Sequence, residues 1–240
     1  MTNLEINFPG IDYPFPMVFV KGTADAPYLF GETDKAEIKV RDFYISKFPV
    51  TQTLWEFIMG SNPAHFKERT RPVECVSFND ITTANGFLDK LNAIYESQEP
   101  IKNGMKFRLP TETEWEYAAR GGINWKDNFL FSGSNHIEEV GWQGEKHSGT
   151  HTHPVGEKLP NQLGIHDMCG NVWEWCQDYF QSDIHSIPKD GSPYLMETEE
   201  RVLRGGCHHN WAVHCTVSKR YAIDPTAKDE CIGFRLAMPV

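Results

Sequence analysis

The chain has 240 residues, long enough to bury a sizeable core as one large domain or two small ones. Its 33 acidic against 23 basic side chains give a formal charge of -10 with no basic run, which disfavours a phosphate-tracking surface and makes nucleic acid an unexpected partner. The first residues, MTNLEINFPG, lack a charged segment followed by an apolar one, and the longest apolar stretch, Tyr13 to Val20, is interrupted by two prolines, so membrane insertion is not expected. As it stands the sequence reads as a cytoplasmic protein, or as a surface-exposed or exported one if a leader has been removed.

In chain order, KAEIKVRDFYISKFPV alternates around Ile38, Val40, Phe43 and Ile45 and predicts a strand. Thr51 then caps a short helix that buries Leu54, Phe57 and Ile58 and stops at Gly60. Ser77 caps FNDITTANGFLDKLNAIYE, where Ile81, Ala84, Leu88, Leu91 and Tyr95 recur at helical spacing and predict one long helix. In LPTETEWEYAARGG, Thr111 and Glu114 form a capping box, Trp115, Ala118 and Ala119 the buried stripe, and Gly121 the left-handed end. Glu112, Glu114 and Glu116 occupy alternate helical positions, about 200° apart, and read as capping and solvated.

Beyond that helix, HPVGEKLPNQLG from His153, RVLRGG from Arg201 and IGFRLA from Ile232 are too short and glycine-punctuated for helices. Trp173, Trp175, Tyr179 and Phe180 read as core and loop anchors, and Arg120, Arg204 and Arg235 as partners of acids beneath the loops. No linker or internal repeat divides the chain. The expectation is a single α+β domain over 1–240 with much irregular backbone.

Cysteines at 75, 169, 176, 207, 215 and 231 are sparse for a disulfide framework and read mostly as reduced, buried or metal-competent thiols. FRLPTETEWEYAARGG, GIHDMCGNVWEWCQDYF, RVLRGG and IGFRLA stand in the order and spacing of the formylglycine-generating enzyme family, the sulfatase-modifying factor domains. The resemblance runs from about Val18 to Leu236. It implies the family's variant of the C-type lectin fold: a small twisted antiparallel sheet, two or three helices and long ligand-bearing loops.

The resemblance also supplies a test of function. Oxygenases of the family convert a substrate cysteine to formylglycine with molecular oxygen and Cu(I) held by two cysteines, in a pattern resembling RGG-Ser-x-x-Cys-His-x-x-x-Cys. Laid on this chain, the pattern puts Cys207 at the serine, Asn210 at the first cysteine, Trp211 at the histidine and Cys215 at the second cysteine. A neutral amide cannot replace a thiolate on Cu(I), so a copper-dependent oxygenase is the alternative reading and needs Cys207 to reach Cys215. Cys207, His208, His209, His214 and Cys215 offer mixed ligands for zinc or copper, but their spacing favours exposed loop histidines around a buried Cys215. His147, His151 and His153 read as loop polarity.

A structural Ca2+ site is implied at Asp167, Gly170, Val172 and Glu174, two carboxylates and two backbone carbonyls within one turning loop. The family's other calcium loop is shortened here to EVGWQGEKHSG and is not expected to bind. The remaining candidate is a recognition face of His208, His209, Asn210, Trp211, Val213, His214, Lys219, Tyr221 and Ile223, which mixes aromatic anchors with adaptable polar groups. Family members diversified by retroelement mutagenesis display variable residues on this stretch, and the surrounding framework resembles theirs. The reading is therefore a non-oxygenase member that binds a protein or other macromolecular ligand, with a regulatory or scaffold domain as a further alternative.

Overall fold

The computed structural model describes residues 1–24, 26–98, 105–144 and 151–240. Its strands, in chain order, are β1 (Leu4–Ile6), β2 (Phe15–Val20), β3 (Tyr28–Phe30), β4 (Ala36–Ile38), β5 (Phe43–Ser46), β6 (Trp173–Tyr179), β7 (Arg201–Arg204), β8 (Arg220–Ile223), β9 (Ile232–Gly233) and β10 (Ala237–Pro239). Its helices are α1 (Gln52–Met59), α2 (Phe78–Thr82), α3 (Phe87–Gln98), α4 (Glu112–Ala119) and α5 (Ile137–Val140).

One antiparallel sheet runs β1-β2-β5-β10, with Val18 opposite Ile45 and Ile45 opposite Ala237. The first and last strands of the chain therefore share a sheet. The stretch from Tyr13 to Val20, interrupted by prolines in the sequence, supplies its second strand. Pro16 sits near the start of β2, where it forfeits one donor while its carbonyl still accepts from Lys47 N at 2.9 Å. A second sheet runs β8-β7-β6-β9, antiparallel except for the parallel β6–β9 pair, and β3 and β4 form a hairpin of their own.

Helix α1 forms as its caps predict: Thr51 Oγ1 accepts from Leu54 N, and Gly60 takes the left-handed conformation. The long helix expected after Ser77 is instead two. Ser77 and Asp80 complete a reciprocal capping box for α2, the chain leaves the helix at Thr83, and Asn85 adopts φ 62°. A Cβ on Gly86 would stand 2.7 Å from the Thr83 carbonyl, so glycine is needed where the turn folds back. The break changes the helical phase. Phe87 is buried and stacks on Trp55 at 5.1 Å between ring centroids, while Ala84 faces solvent.

Helix α4 has the expected capping box and buried stripe, but its glutamates are not solvated. Glu112, Glu114 and Glu116 are all buried. Glu112 and Glu116, one helical turn apart, converge on Arg204 at 3.1 and 2.6 Å, because positions i and i+4 share a face even though alternate positions do not. Arg220 closes a bidentate pair on Glu112 at 2.6 and 2.7 Å, Arg120 meets Glu116 at 2.8 Å, and Arg108 holds Glu114 at 2.6 and 2.7 Å. Arg120 and Arg204 thus find the acids expected of them. The Arg204 and Arg220 pairs fasten α4 to β7 and β8, the strands that flank the C-terminal loop.

The buried apolar residues form two clusters. One holds Trp55, Phe87, Trp173, Trp175, Leu203, Cys207, Ile232 and Phe234; the other holds Trp115, Met168, Cys169, Cys176, Val202, Cys215 and Val217.

Candidate functional site

Strand β7 ends at Arg204 and passes through Gly205 and Gly206, both at positive φ. A Cβ on Gly206 would lie 2.5 Å from Cys215 Sγ, which shows how closely the returning chain crosses it. Cys207 is disulfide-bonded to Cys231, with the two Cα atoms 5.5 Å apart. The other four of the six cysteines are free, in line with most being reduced thiols, and Cys169, Cys176 and Cys215 among them are buried.

Asn210 closes the turn that follows. Its Oδ1 accepts from Cys207 N and its own N–H donates to the Cys207 carbonyl, each at 3.0 Å. The amide at the first copper-cysteine position is thus spent on backbone geometry. A 3-10 turn over Ala212–His214 then leads into Cys215, which is fully buried with its thiol 3.9 Å from the Cys207 carbonyl. Burial pushes the Cys215 thiol well above its ordinary range, with Cys169 nearby adding to the effect.

Between this loop and β8 lies a cleft of about 480 Å³, lined by Asn210, His214, Lys219, Tyr221 and Ile223 together with Trp173, Leu203, Arg220, Asp229, Ile232 and the Cys207–Cys231 bridge. Five of the nine expected recognition residues therefore share one concavity. Trp211, Val213 and His209 are exposed on the same turn; Trp211 is 66% and Val213 61% accessible. Tyr221, half exposed, lies against Trp173 at 5.4 Å between ring centroids and supplies an aromatic wall.

His208 does not belong to this face. It is fully buried, packs edge-on to Phe66 at 5.5 Å, and its Nδ1 lies 3.1 Å from the Asn171 carbonyl. Its Nε2 is buried without a hydrogen-bond partner. Burial pulls the imidazole down to about 4, so it is neutral near pH 7. In the disulfide-adjacent strand exit the backbone turns this side chain inward and leaves His209 outside, a choice that the dipeptide could not reveal.

The residues missed in the sequence are Trp173, Arg220, Asp229 and Cys231. Trp173 was indistinguishable from its core neighbours in the aromatic run, and even cysteine counts do not specify which sulfurs pair. A larger cavity of about 540 Å³ is lined by Arg41, Asp42, Arg108, Glu114, Asp190 and Val240 among others, none of them an expected site residue.

Of the expected calcium residues, Glu174 has partners inside the protein. Its carboxylate accepts from Arg235 Nε at 2.6 Å and Nη2 at 2.8 Å, and from Trp115 Nε1 at 2.6 Å, so an internal cation already neutralises it. Asp167, buried at φ 56°, accepts from Gly156 N at 2.8 Å, and desolvation raises it to about 6. Of the second histidine group, His151 and His153 have rings 4.9 Å apart, and His153 stacks on Trp142 at 3.7 Å; His147 and part of the shortened second calcium loop lie outside the described residues.

Two four-stranded sheets, a separate hairpin, few helices and a cleft framed by long loops define a C-type-lectin-like domain of the formylglycine-generating-enzyme type. The chain belongs to the sulfatase-modifying factor enzyme 1-like domain family, whose model matches residues 17–240. It is 36% identical over 228 residues to the chaperone protein LppX of Paenibacillus barcinonensis, covering 79% of this chain and 77% of that one. To the formylglycine-generating enzyme of Streptomyces coelicolor it is 34% identical over 182 residues, 69% of this chain and 52% of the enzyme, about half its length. Among solved structures, Treponema denticola variable protein 1 superposes with a TM-score of 0.82 at 28% identity, covering 100% of both chains. Among the described residues no helix is long and apolar enough to cross a membrane.

Proposed function

We propose that this protein is a ligand-binding, non-oxygenase member of the family, whose C-terminal cleft and the turn from His209 to Ile223 receive a protein or another macromolecule. The cleft carries the reading: an open concavity with an aromatic wall, mixed polar groups and exposed Trp211 and Val213 beside it has the composition of a recognition surface. The copper reaction is disfavoured because Asn210 is tied into a turn and Cys207 is bonded to Cys231, which leaves Cys215 without a second thiolate.

The similarity to a chaperone protein and to a variable protein supports binding of a protein ligand. The finer form of the proposal is that these positions differ between diversified copies. A nearby reverse-transcriptase gene with a near-copy of the loop's coding sequence would support it, and a fixed loop across strains would oppose it.

Anaerobic Cu(I) titration, followed by exposure of a cysteine-containing peptide to oxygen, tests the main reading. The expected result is neither stoichiometric uptake dependent on Cys215 nor peptide oxidation. In parallel, selection from a displayed peptide library should yield binders that Trp211→Ala and Tyr221→Ala weaken. Uptake that is lost in Cys215→Ala, together with peptide conversion, would restore the oxygenase.

A further inference from the structure

We propose that reduction of the Cys207–Cys231 disulfide opens a Zn2+ site made by the two released thiolates and the Nε2 of His208, with its fourth position open to Glu230 or His209. The proposal does not depend on a ligand in the cleft.

Three observations converge on it. The ligand atoms of Cys207, His208 and Cys231 all lie within 4.8 Å of one another, and those of His208, His209 and Glu230 meet the same limit, so two triads share one imidazole. A tetrahedral zinc ion with Zn–S near 2.3 Å and Zn–N near 2.0 Å separates its ligands by about 3.5–3.8 Å, which small side-chain movements reach from here.

The second observation is the orphan nitrogen. A buried imidazole with one ring nitrogen unbonded is costly in a folded protein, where buried polar atoms are nearly always satisfied. His208 Nε2 is such an atom, and its other nitrogen is 3.1 Å from a backbone carbonyl. That is the arrangement found behind metal-bound histidines: an N–H donated to a carbonyl fixes the tautomer and points the opposite lone pair at the ion.

The third is access. Cys231 is only partly buried, and both cysteines are among the residues lining the cleft, so reductant and metal have an entry path from solvent. Two thiolates and a neutral imidazole also leave the buried zinc site without net charge, where a hard dication or an unpaired thiolate would be expensive.

The chemistry balances with a dithiol as reductant. Its two thiols deliver two electrons and two protons; the Cys207–Cys231 S–S bond breaks, two thiols form, and the reductant leaves as its own disulfide. Zn2+ then displaces both thiol protons to solvent. A disulfide acting as oxidant reverses the sequence: it takes up the two electrons and leaves as two thiols, the Cys207–Cys231 bond re-forms, and the metal is released.

Cobalt and zinc titrations of the whole chain, oxidised and phosphine-reduced under argon, test the idea. Reduced protein should bind one equivalent of Co2+ with a thiolate-to-cobalt charge-transfer band that Zn2+ abolishes, while oxidised protein should show no band. His208→Ala and Cys231→Ser should each weaken the reduced protein's affinity by at least about tenfold, as loss of a ligand demands. Cys215→Ala, which leaves both triads intact, should bind as wild type does. Equal uptake by oxidised protein, indifference to both ligand substitutions, or loss of binding in Cys215→Ala would each overturn the site. So would a reduced chain that loses its near-ultraviolet dichroism and does not regain it with Zn2+.

Discussion

Arg204 Nη2 donates to Glu116 Oε2 at 2.6 Å, and neither side chain has any accessible surface. Glu116 Oε1 simultaneously accepts from Arg120 Nε at 2.8 Å and from Gly31 N at 2.9 Å, so one carboxylate joins α4 to β7 and to the end of the β3 strand. Removing one partner of such a pair leaves an uncompensated buried charge. Glu116→Ala should therefore cost about 3–5 kcal/mol in urea unfolding. A loss below about 1 kcal/mol, the range of exposed pairs, would mean the network contributes little.

The Cys207–Cys231 bridge closes a loop of sequence separation 24 that carries the whole recognition turn. Constraining a loop of that length stabilises by about 3 kcal/mol on the chain-entropy account. Cys231→Ser should lower the midpoint of unfolding accordingly and should increase hydrogen exchange of amides from Cys207 to Cys215. Cys215→Ala, which only trims a small buried group, should cost about 1 kcal/mol.

Trp211 and Tyr221 offer large exposed surface without holding the core together. Alanine at Trp211 should change stability by no more than about 0.5 kcal/mol, and at Tyr221, which packs on Trp173, by about 1 kcal/mol, while each weakens selected peptide binders by tenfold or so, about 1.4 kcal/mol. Thermal melts and binding isotherms on the same preparations check both halves. Normal binding by the double variant would move the recognition face elsewhere.

Burial raises Asp167 to about 6 and Asp178 to about 7, the latter with help from the negative Glu112. A carboxyl whose folded value lies above its unfolded one contributes stability that is full below the unfolded value and is lost as pH rises through the folded one. The window for Asp167 is therefore pH 4 to 6, where the depressed His208 acts in the opposite direction. Comparing wild type with Asp167→Asn isolates the carboxyl: the variant should gain roughly 2–3 kcal/mol relative to wild type between pH 4 and pH 7. Parallel pH profiles of the two proteins would contradict the assignment.

With Glu174 engaged by Arg235 and Trp115, millimolar Ca2+ or a chelator should leave the melting temperature unchanged. A calcium-dependent rise of several degrees would show that Asp167 and its neighbouring carbonyls suffice.

Local chemistry was legible where a few adjacent residues decide it. Thr51, Ser77 and Thr111 announce helix starts because a cap is a hydrogen bond spanning three residues, and all three side chains make that bond. Exposure along the stretch after the glycine pair was legible only in part: Trp211, Val213 and Tyr221 are exposed, whereas His208 is buried. The helix break at Gly86 was not legible, because helical spacing persists in the letters after the chain has changed phase.

What the sequence by itself determined is the family framework, the capped helices and the absence of a second cysteine at Asn210. Only the tertiary structure decided that Cys207 bonds Cys231, that His208 turns inward while His209 stays out, and that three glutamates on one helix are buried under arginines. The physical reason is range. Caps and propensities act within a turn of backbone, whereas disulfide pairing, desolvation and ion pairing depend on which distant strands are brought together, here β7, β8 and the segment that ends at Cys231.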